Sequence, residues 1–225
     1  MLLLFSGGLD SYIAWNYLGR PDTIYFDIGH RYCAYELEKV KFFAPKTIIN
    51  TSLRLAEHEK KDADIPMRNA FLLMLSSYYD SELVLVVQRG EMTIPDRSPK
   101  FFYEFQMWLS FLNNRPITIT SPFFDMTKTQ MVRWYIETGL STEDLLYTRS
   151  CYSTGELPCG ACSACFRRWV ALTNNGLSED YKNDILQYKE IPRYIKEMKE
   201  GKYDNLRSEE TLNALMLVEY KGRIR

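Results

Sequence analysis

Met1-Leu2-Leu3-Leu4-Phe5-Ser6-Gly7-Gly8-Leu9-Asp10-Ser11-Tyr12-Ile13-Ala14-Trp15-Asn16-Tyr17-Leu18 decides the fold. Met1 to Phe5 is a short apolar run that reads as a buried strand, too brief for a signal peptide or a membrane span. A helix is expected from Asp10 to Leu18, so Ser6 to Ser11 forms the turn between them. Glycines there let the chain turn tightly and approach a ligand with no Cβ in the way. The free N–H groups at the start of the helix make an anion site, helped by the helix dipole, and Ser6 and Ser11 add hydroxyl donors. Asp10 is the unusual member, because a carboxylate beside phosphate needs a metal ion between them or a capping role. A plain Gly-Gly turn capped by Asp10 or Ser11 is the simpler reading; the complete six-residue string favours a phosphate cradle.

The same alternation continues outward. Strands are expected at Thr23–Phe26, Lys46–Ile49, Leu83–Val87 and Ile117–Thr120, and helices at Tyr35–Phe43, Met67–Tyr79 and Phe101–Leu112. Strands alternating with helices imply an α/β, doubly wound parallel sheet covered on both faces, with ligands at the carboxyl ends of the strands. This first part is expected to span residues 1–125. Residues 126–225 read as a second, helical part: a helix over Thr127–Glu137 capped by Asp125 or Thr127, with Gly139 after its end, a cysteine loop, a helix from Phe166, and a charged, helix-forming tail from about Ser178. The tail carries no chemical motif and is expected to pack or to meet another subunit.

The cysteine loop is the second signal. Cys151, Cys159, Cys162 and Cys165 contain two overlapping C-x2-C units, with small residues Gly160 and Ala161 in the turn. That spacing suits a tetrahedral structural zinc with no open position. Disulfides would need an oxidising compartment, and no secretory signal is expected at Met1. Cys33 stands apart and reads as a half-buried hydrophobe. Of 225 residues, 46% are hydrophobic and the net charge is −1, which allows a full core and gives no basic footprint for a long nucleic acid. A soluble cytoplasmic protein is expected.

With these residues in hand, the chain resembles the PP-loop ATP pyrophosphatases, whose Ser-Gly-Gly-x-Asp-Ser signature sits at the same strand–turn–helix junction. Within them it is similar to the 7-cyano-7-deazaguanine synthase family. Phe26-Asp27-Ile28-Gly29-His30-Arg31 resembles that family's Phe-Asp-Tyr-Gly-Gln-Arg, and Ile65-Pro66-Met67-Arg68-Asn69 its Val-Pro-Gly-Arg-Asn. Pro95-Asp96, Thr120-Ser121-Pro122, Thr127-Lys128 and the segment from Ser150-Cys151 through Cys159, Cys162 and Cys165 to Arg167 or Arg168 also match. The likeness runs from about Met1 to Leu172. Met67 replaces the family's glycine, Arg97-Ser98 replaces its Cys-Arg, the loop Gln88–Ile94 is shorter, and the tail is longer.

The resemblance implies ATP-dependent ligation. 7-Carboxy-7-deazaguanine would be adenylated, ammonia would displace AMP to give an amide, and a second activation would leave the nitrile preQ0 of queuosine biosynthesis. It implies ATP at Ser6, Gly7, Gly8, Leu9, Asp10 and Ser11, with catalytic roles for Asp10, Lys128 and Arg68. Asp96, Arg97 and Glu91 would bind substrate, Mg²⁺ would assist, zinc would sit on the four cysteines, and the chain would be a homodimer of small-molecule specificity. Plainer readings stand beside these: a solvated Lys128, Arg68 paired with Asp62 or Asp64, Asp96 as a turn residue. His30 would line the pocket, His58 would be solvated, and Phe101-Phe102-Tyr103 would serve a core or dimer contact. Amide transfer to a macromolecule, tRNA modification and a non-catalytic zinc module are the competing functions.

Overall fold

The computed structural model describes residues 1–60 and 63–223, with side chains described to residue 218; Asp62, considered above as a partner of Arg68, and Ile224 and Arg225 at the end of the second part lie outside them. Five short strands, β1 (Leu2–Leu4), β2 (Asp22–Phe26), β3 (Ile48–Asn50), β4 (Glu82–Val84) and β5 (Thr118–Thr120), form one sheet in the order β3-β2-β1-β4-β5. All four pairings are parallel. The helices are α1 (Leu9–Tyr17), α2 (Cys33–Phe43), α3 (Arg68–Ser76), α4 (Pro99–Asn113), α5 (Lys128–Glu137), α6 (Thr142–Tyr147), α7 (Ser163–Thr173), α8 (Ile191–Lys199) and α9 (Asn205–Arg223). This is the expected doubly wound α/β sheet. The chain winds from β1 to β3 on one side and returns to β4 and β5 on the other, so the switch point lies beyond the carboxyl ends of β1 and β4.

Side-chain alternation builds a core on each face of the sheet. Leu3, Phe5, Tyr25 and Val84 pack on one side with Tyr12 and Ile13 of α1 and Met131, Val132 and Tyr135 of α5. Leu2, Leu4, Ile24, Phe26 and Leu83 pack on the other with Leu73 of α3 and Phe102 and Leu109 of α4. Each such side chain contributes about 1.5–3 kcal/mol by leaving water. A third core gathers Cys151, Cys165, Phe166, Val170, Ile185, Tyr188, Ile191 and Ala214. It ties the cysteine loop to the tail, so the tail packs inside the molecule as one of its two expected roles required. Leu145, Ala171 and Leu172 join the first core, so α6 and α7 are continuous with the sheet.

Local chemistry explains where elements start. Gly8, and neither Asp10 nor Ser11, is the N-cap of α1. Thr127 rather than Asp125 caps α5, through a reciprocal capping box with Gln130, and Gly139 follows Thr138 with φ of +73°. Helix α7 starts at Ser163, before the expected Phe166, because the Cys162 sulphur accepts from the Cys165 N–H and caps the first turn. Strand β4 ends at Val84, short of Val87. The chain beyond it stays extended because Val87 N–H donates to the Ser121 hydroxyl at 3.0 Å and Gln88 bridges Phe123. Among the described residues, no helix is long and apolar enough to cross a membrane.

Candidate active site and metal centre

The glycine turn opens onto the switch point. A cleft of about 1300 Å³, counting its solvent-filled mouth, is lined by Ser6, Gly8, Asp10 and Ser11 of the turn and by the ends of β1 and β2. Gly7 has φ of +68°, and a Cβ there would sit 2.6 Å from the Lys39 Cβ on α2. Glycine is therefore required twice, by backbone conformation and by helix contact. Ser11 Oγ donates to the Gly8 carbonyl at 3.1 Å and lies 3.3 Å from Ser6 Oγ, so the hydroxyls brace the turn. The turn lies at a helix N-terminus, where free N–H groups and the helix dipole can receive an anion.

Asp10 and Lys128, remote in sequence, form an ion pair across this turn, with the Lys128 ammonium donating to both carboxylate oxygens. Lys128 opens α5 and Asp10 lies in the first turn of α1, so packing of the two helices fixes the pair. Arg68 lines the same cleft and makes no ion pair within 4 Å among the described residues. Glu91 and Arg97 line it too and pair at 3.1 Å. Burial pushes the Glu91 carboxyl upward, but the charges of Arg97, Arg167 and Lys128 override it and hold the group down to about 2. Asp96 is directed elsewhere: its Oδ2 accepts from the Asn69 N–H at 3.2 Å, at the start of α3, and it does not line the cleft. Met67, where the resembling family has glycine, keeps a left-handed backbone with φ of +58° and ψ of 12° immediately before α3.

The structure places His30 where it was expected and adds residues that the sequence did not single out. His30 lines the cleft, is buried, and pairs with Glu36 at 2.9 Å, while Tyr25 donates to the same carboxylate at 3.1 Å. Arg149 joins the two ends of the chain. Its guanidinium donates to the Ser153 and Glu156 carbonyls of the cysteine loop at 3.1 and 2.9 Å and lies 4.2 Å over the Tyr35 ring. Its carbonyl would stand 3.1 Å from a Cβ at Gly8. No spacing in the sequence could have signalled this contact. The neighbours Arg167 and Arg168 separate: Arg167 lines the cleft, whereas Arg168 is buried against Glu179 at 2.7 Å and Thr148 at 2.6 Å. His58 is exposed beside Glu57. Phe102 is in the core, and Tyr103 is exposed.

The four cysteines converge. One sulphur from each of Cys151, Cys159, Cys162 and Cys165 lies within 4.8 Å of all the others. Tetrahedral zinc with bonds of about 2.3 Å requires sulphurs about 3.8 Å apart, and Cys159 and Cys165 stand 3.9 Å apart. Backbone N–H groups of Ser153 and Cys159 donate to the Cys151 sulphur at 3.3 and 3.2 Å. Hydrogen bonds from Cys162 and Cys165 hold the Cys151 thiol well below its usual range, while burial pushes the Cys159 thiol up and the hydrogen bonds with Cys151 and Cys162 push the Cys165 thiol up. The donor set fits a closed structural zinc site. Gly160, at φ of +66°, lies against the Asn183 carbonyl, and Asn183 donates to the Cys159 carbonyl at 2.6 Å, so the tail clasps the site.

Comparison with known proteins accords with this geometry. A family model described as "Queuosine biosynthesis protein QueC" matches residues 37–176. A 7-cyano-7-deazaguanine synthase of Halobacterium salinarum is 34% identical over 139 residues, covering 58% of this chain and 57% of that protein. One of Methanosarcina mazei is 29% identical over 136 residues, 58% of each chain, and one of Methanocaldococcus jannaschii is 27% identical over 177 residues, 69% of this chain and 76% of that protein. The first two matches thus span little more than half the length of those relatives. That family model matches more than half of the chain and includes the four-cysteine loop, and the chain belongs to the QueC family of queuosine biosynthesis proteins.

Proposed function

We propose that this protein is an ATP-dependent carbon–nitrogen ligase that converts 7-carboxy-7-deazaguanine and ammonia to 7-cyano-7-deazaguanine. The observation that carries the reading is the meeting of the glycine cradle, the Asp10–Lys128 pair and the Arg68, Arg97 and Arg167 guanidiniums on one cleft at the switch point. A carboxylate cannot expel oxide. Its oxygen must first attack the α-phosphate of ATP, releasing pyrophosphate and leaving an acyl-adenylate. Ammonia then forms the C–N bond as the C–O bond to AMP breaks, and repetition on the amide oxygen leaves the nitrile.

In this reading the turn Ser6–Ser11 holds the pyrophosphate end of ATP, and Lys128 and Arg68 neutralise the charge that develops there. Mg²⁺ bound beside the partly exposed Asp10 carboxylate would supply further neutralisation of the phosphate oxygens. Apolar side chains at the ends of β1 and β2, Phe26 and Ile28 among them, suit the flat face of a deazapurine, and Glu91 with Arg97 offers its polar edge a half-buried acceptor and donor. Asp96 would act through Asn69, by fixing the start of α3 and hence Arg68. Zinc remains structural.

We also propose a cytoplasmic homodimer. Tyr103, Met107, Trp108, Phe111 and Leu112 form one exposed apolar face of α4, with Tyr78 exposed beyond the end of α3; a second copy would cover it. Incubation with ATP, Mg²⁺, ammonium and 7-carboxy-7-deazaguanine should yield AMP and the nitrile. A product that stopped at the amide would replace this reading with single activation, and no acid-dependent AMP would overturn it.

A further inference from the structure

A second cavity, of about 520 Å³ with its mouth, lies behind the cleft between α5, α7 and the tail helices α8 and α9. The two spaces share part of their walls. Glu91 and Arg167 line both of them, and Lys128, which lines the second, bonds to Asp10, which lines the first. Tyr194, Met198 and Thr211 of the tail roof the chamber, and all three lie beyond residues 37–176 of the family match.

Its charged walls are largely occupied. Arg89 pairs with Asp204 at 2.9 Å, Arg207 donates to the Gly90 carbonyl at 2.8 Å, and Glu210 accepts from the Thr127 hydroxyl at 2.6 Å. Phe166, Val170 and Met198 make the remaining surface apolar. Four cationic side chains, Arg89, Lys128, Arg167 and Arg207, face two carboxylates, Glu91 and Glu210. That excess disfavours an ammonium ion. One acceptor is left over: Gln88 lines the chamber, is buried, and its Oε1 has no hydrogen-bond partner. A buried amide oxygen without a donor is costly and marks a place for a small N–H or O–H donor.

We propose that this chamber binds neutral ammonia and passes it to the acyl-adenylate across the Glu91–Arg167 partition, with the C-terminal helices as its roof. The proposal rests on the function proposed above. Ammonia arriving from behind meets the carbonyl carbon without sharing the open mouth of the cleft with bulk water. Its nitrogen forms the C–N bond, the C–O bond to AMP breaks with its electron pair on the departing phosphate oxygen, and the surplus N–H proton passes to water in the cleft.

The test separates this chamber from the chemistry beside it. Acid-dependent ATP–pyrophosphate exchange without ammonium reports adenylation alone, and amide and nitrile formation against ammonium concentration reports delivery. Met198→Trp, which fills the chamber, should lower kcat/KM for ammonium by about tenfold or more while the exchange rate and the KM for ATP stay as in the parent. Thr211→Leu, a milder filling, should do the same to a smaller degree, and Gln88→Leu should raise the KM for ammonium several-fold. Ammonium kinetics within twofold of the parent in all three variants, or exchange falling in step with ammonium use, would overturn the chamber. Absence of exchange in the parent protein would instead overturn the ligase reading, and the chamber's role with it.

Discussion

The glycine turn and the cysteine loop meet through Arg149, yet they are built on opposite principles. The turn is complete within the polypeptide: Gly7 fits against Lys39, the serine hydroxyls brace each other, and a core on each face of the sheet supports it. The cysteine loop leans on four sulphurs gathered within 4.8 Å and on a small core of its own. One region holds its shape by its own packing and hydrogen bonds; the other gathers four thiols in an arrangement that suits an ion. Damage to the two should therefore have separable consequences.

The largest effect is expected at the metal. Cys162→Ser removes one of the four clustered sulphurs while its hydroxyl can still cap α7, and because metal binding and folding are linked, zinc content should fall and the melting transition should broaden or be lost; a variant as stable as the parent would refute a structural ion. Asp10→Asn should do the reverse. Acid-dependent AMP formation should drop by about 10²–10³-fold, with zinc content and thermal stability preserved. Glu91 couples the regions, since its surrounding cations come from α5 and α7 as well as from Arg97. Its folded pKa of about 2 lies below the carboxylate value of 4.5, so its stabilisation is present above pH 4.5 and is lost as pH falls towards 2. Glu91→Gln should cost about 3 kcal/mol at neutral pH and flatten acid unfolding across that window. The smallest effect is expected at Met67, where Met67→Gly should relieve left-handed strain and stabilise by up to about 1 kcal/mol in denaturant titration.

Much of this was legible in the order of residues. The run Met1–Phe5 followed by Ser6–Ser11 announced a strand, a tight turn and a helix because each step obeys local chemistry. The cysteine spacing announced the gathering of four sulphurs for the same reason. What could not be read was contact between distant segments. Nothing local told that Lys128 would meet Asp10, that Arg149 would join the cysteine loop to the turn, or that Asp96 would turn toward Asn69. The motif-free tail showed only charge and helix-forming residues; its use of Met198 and Thr211 to close a chamber depends on packing that sequence periodicity does not encode.

The central claim is that this cleft activates a carboxylate by adenylation, and the most direct measurement follows its oxygen atoms. Substrate acid labelled with ¹⁸O in both carboxylate positions, turned over with unlabelled ATP and ammonium, should give a nitrile free of ¹⁸O and AMP in which every molecule formed carries one ¹⁸O, two such AMP per nitrile. Label found in pyrophosphate or inorganic phosphate, or AMP formed without label, would contradict the account.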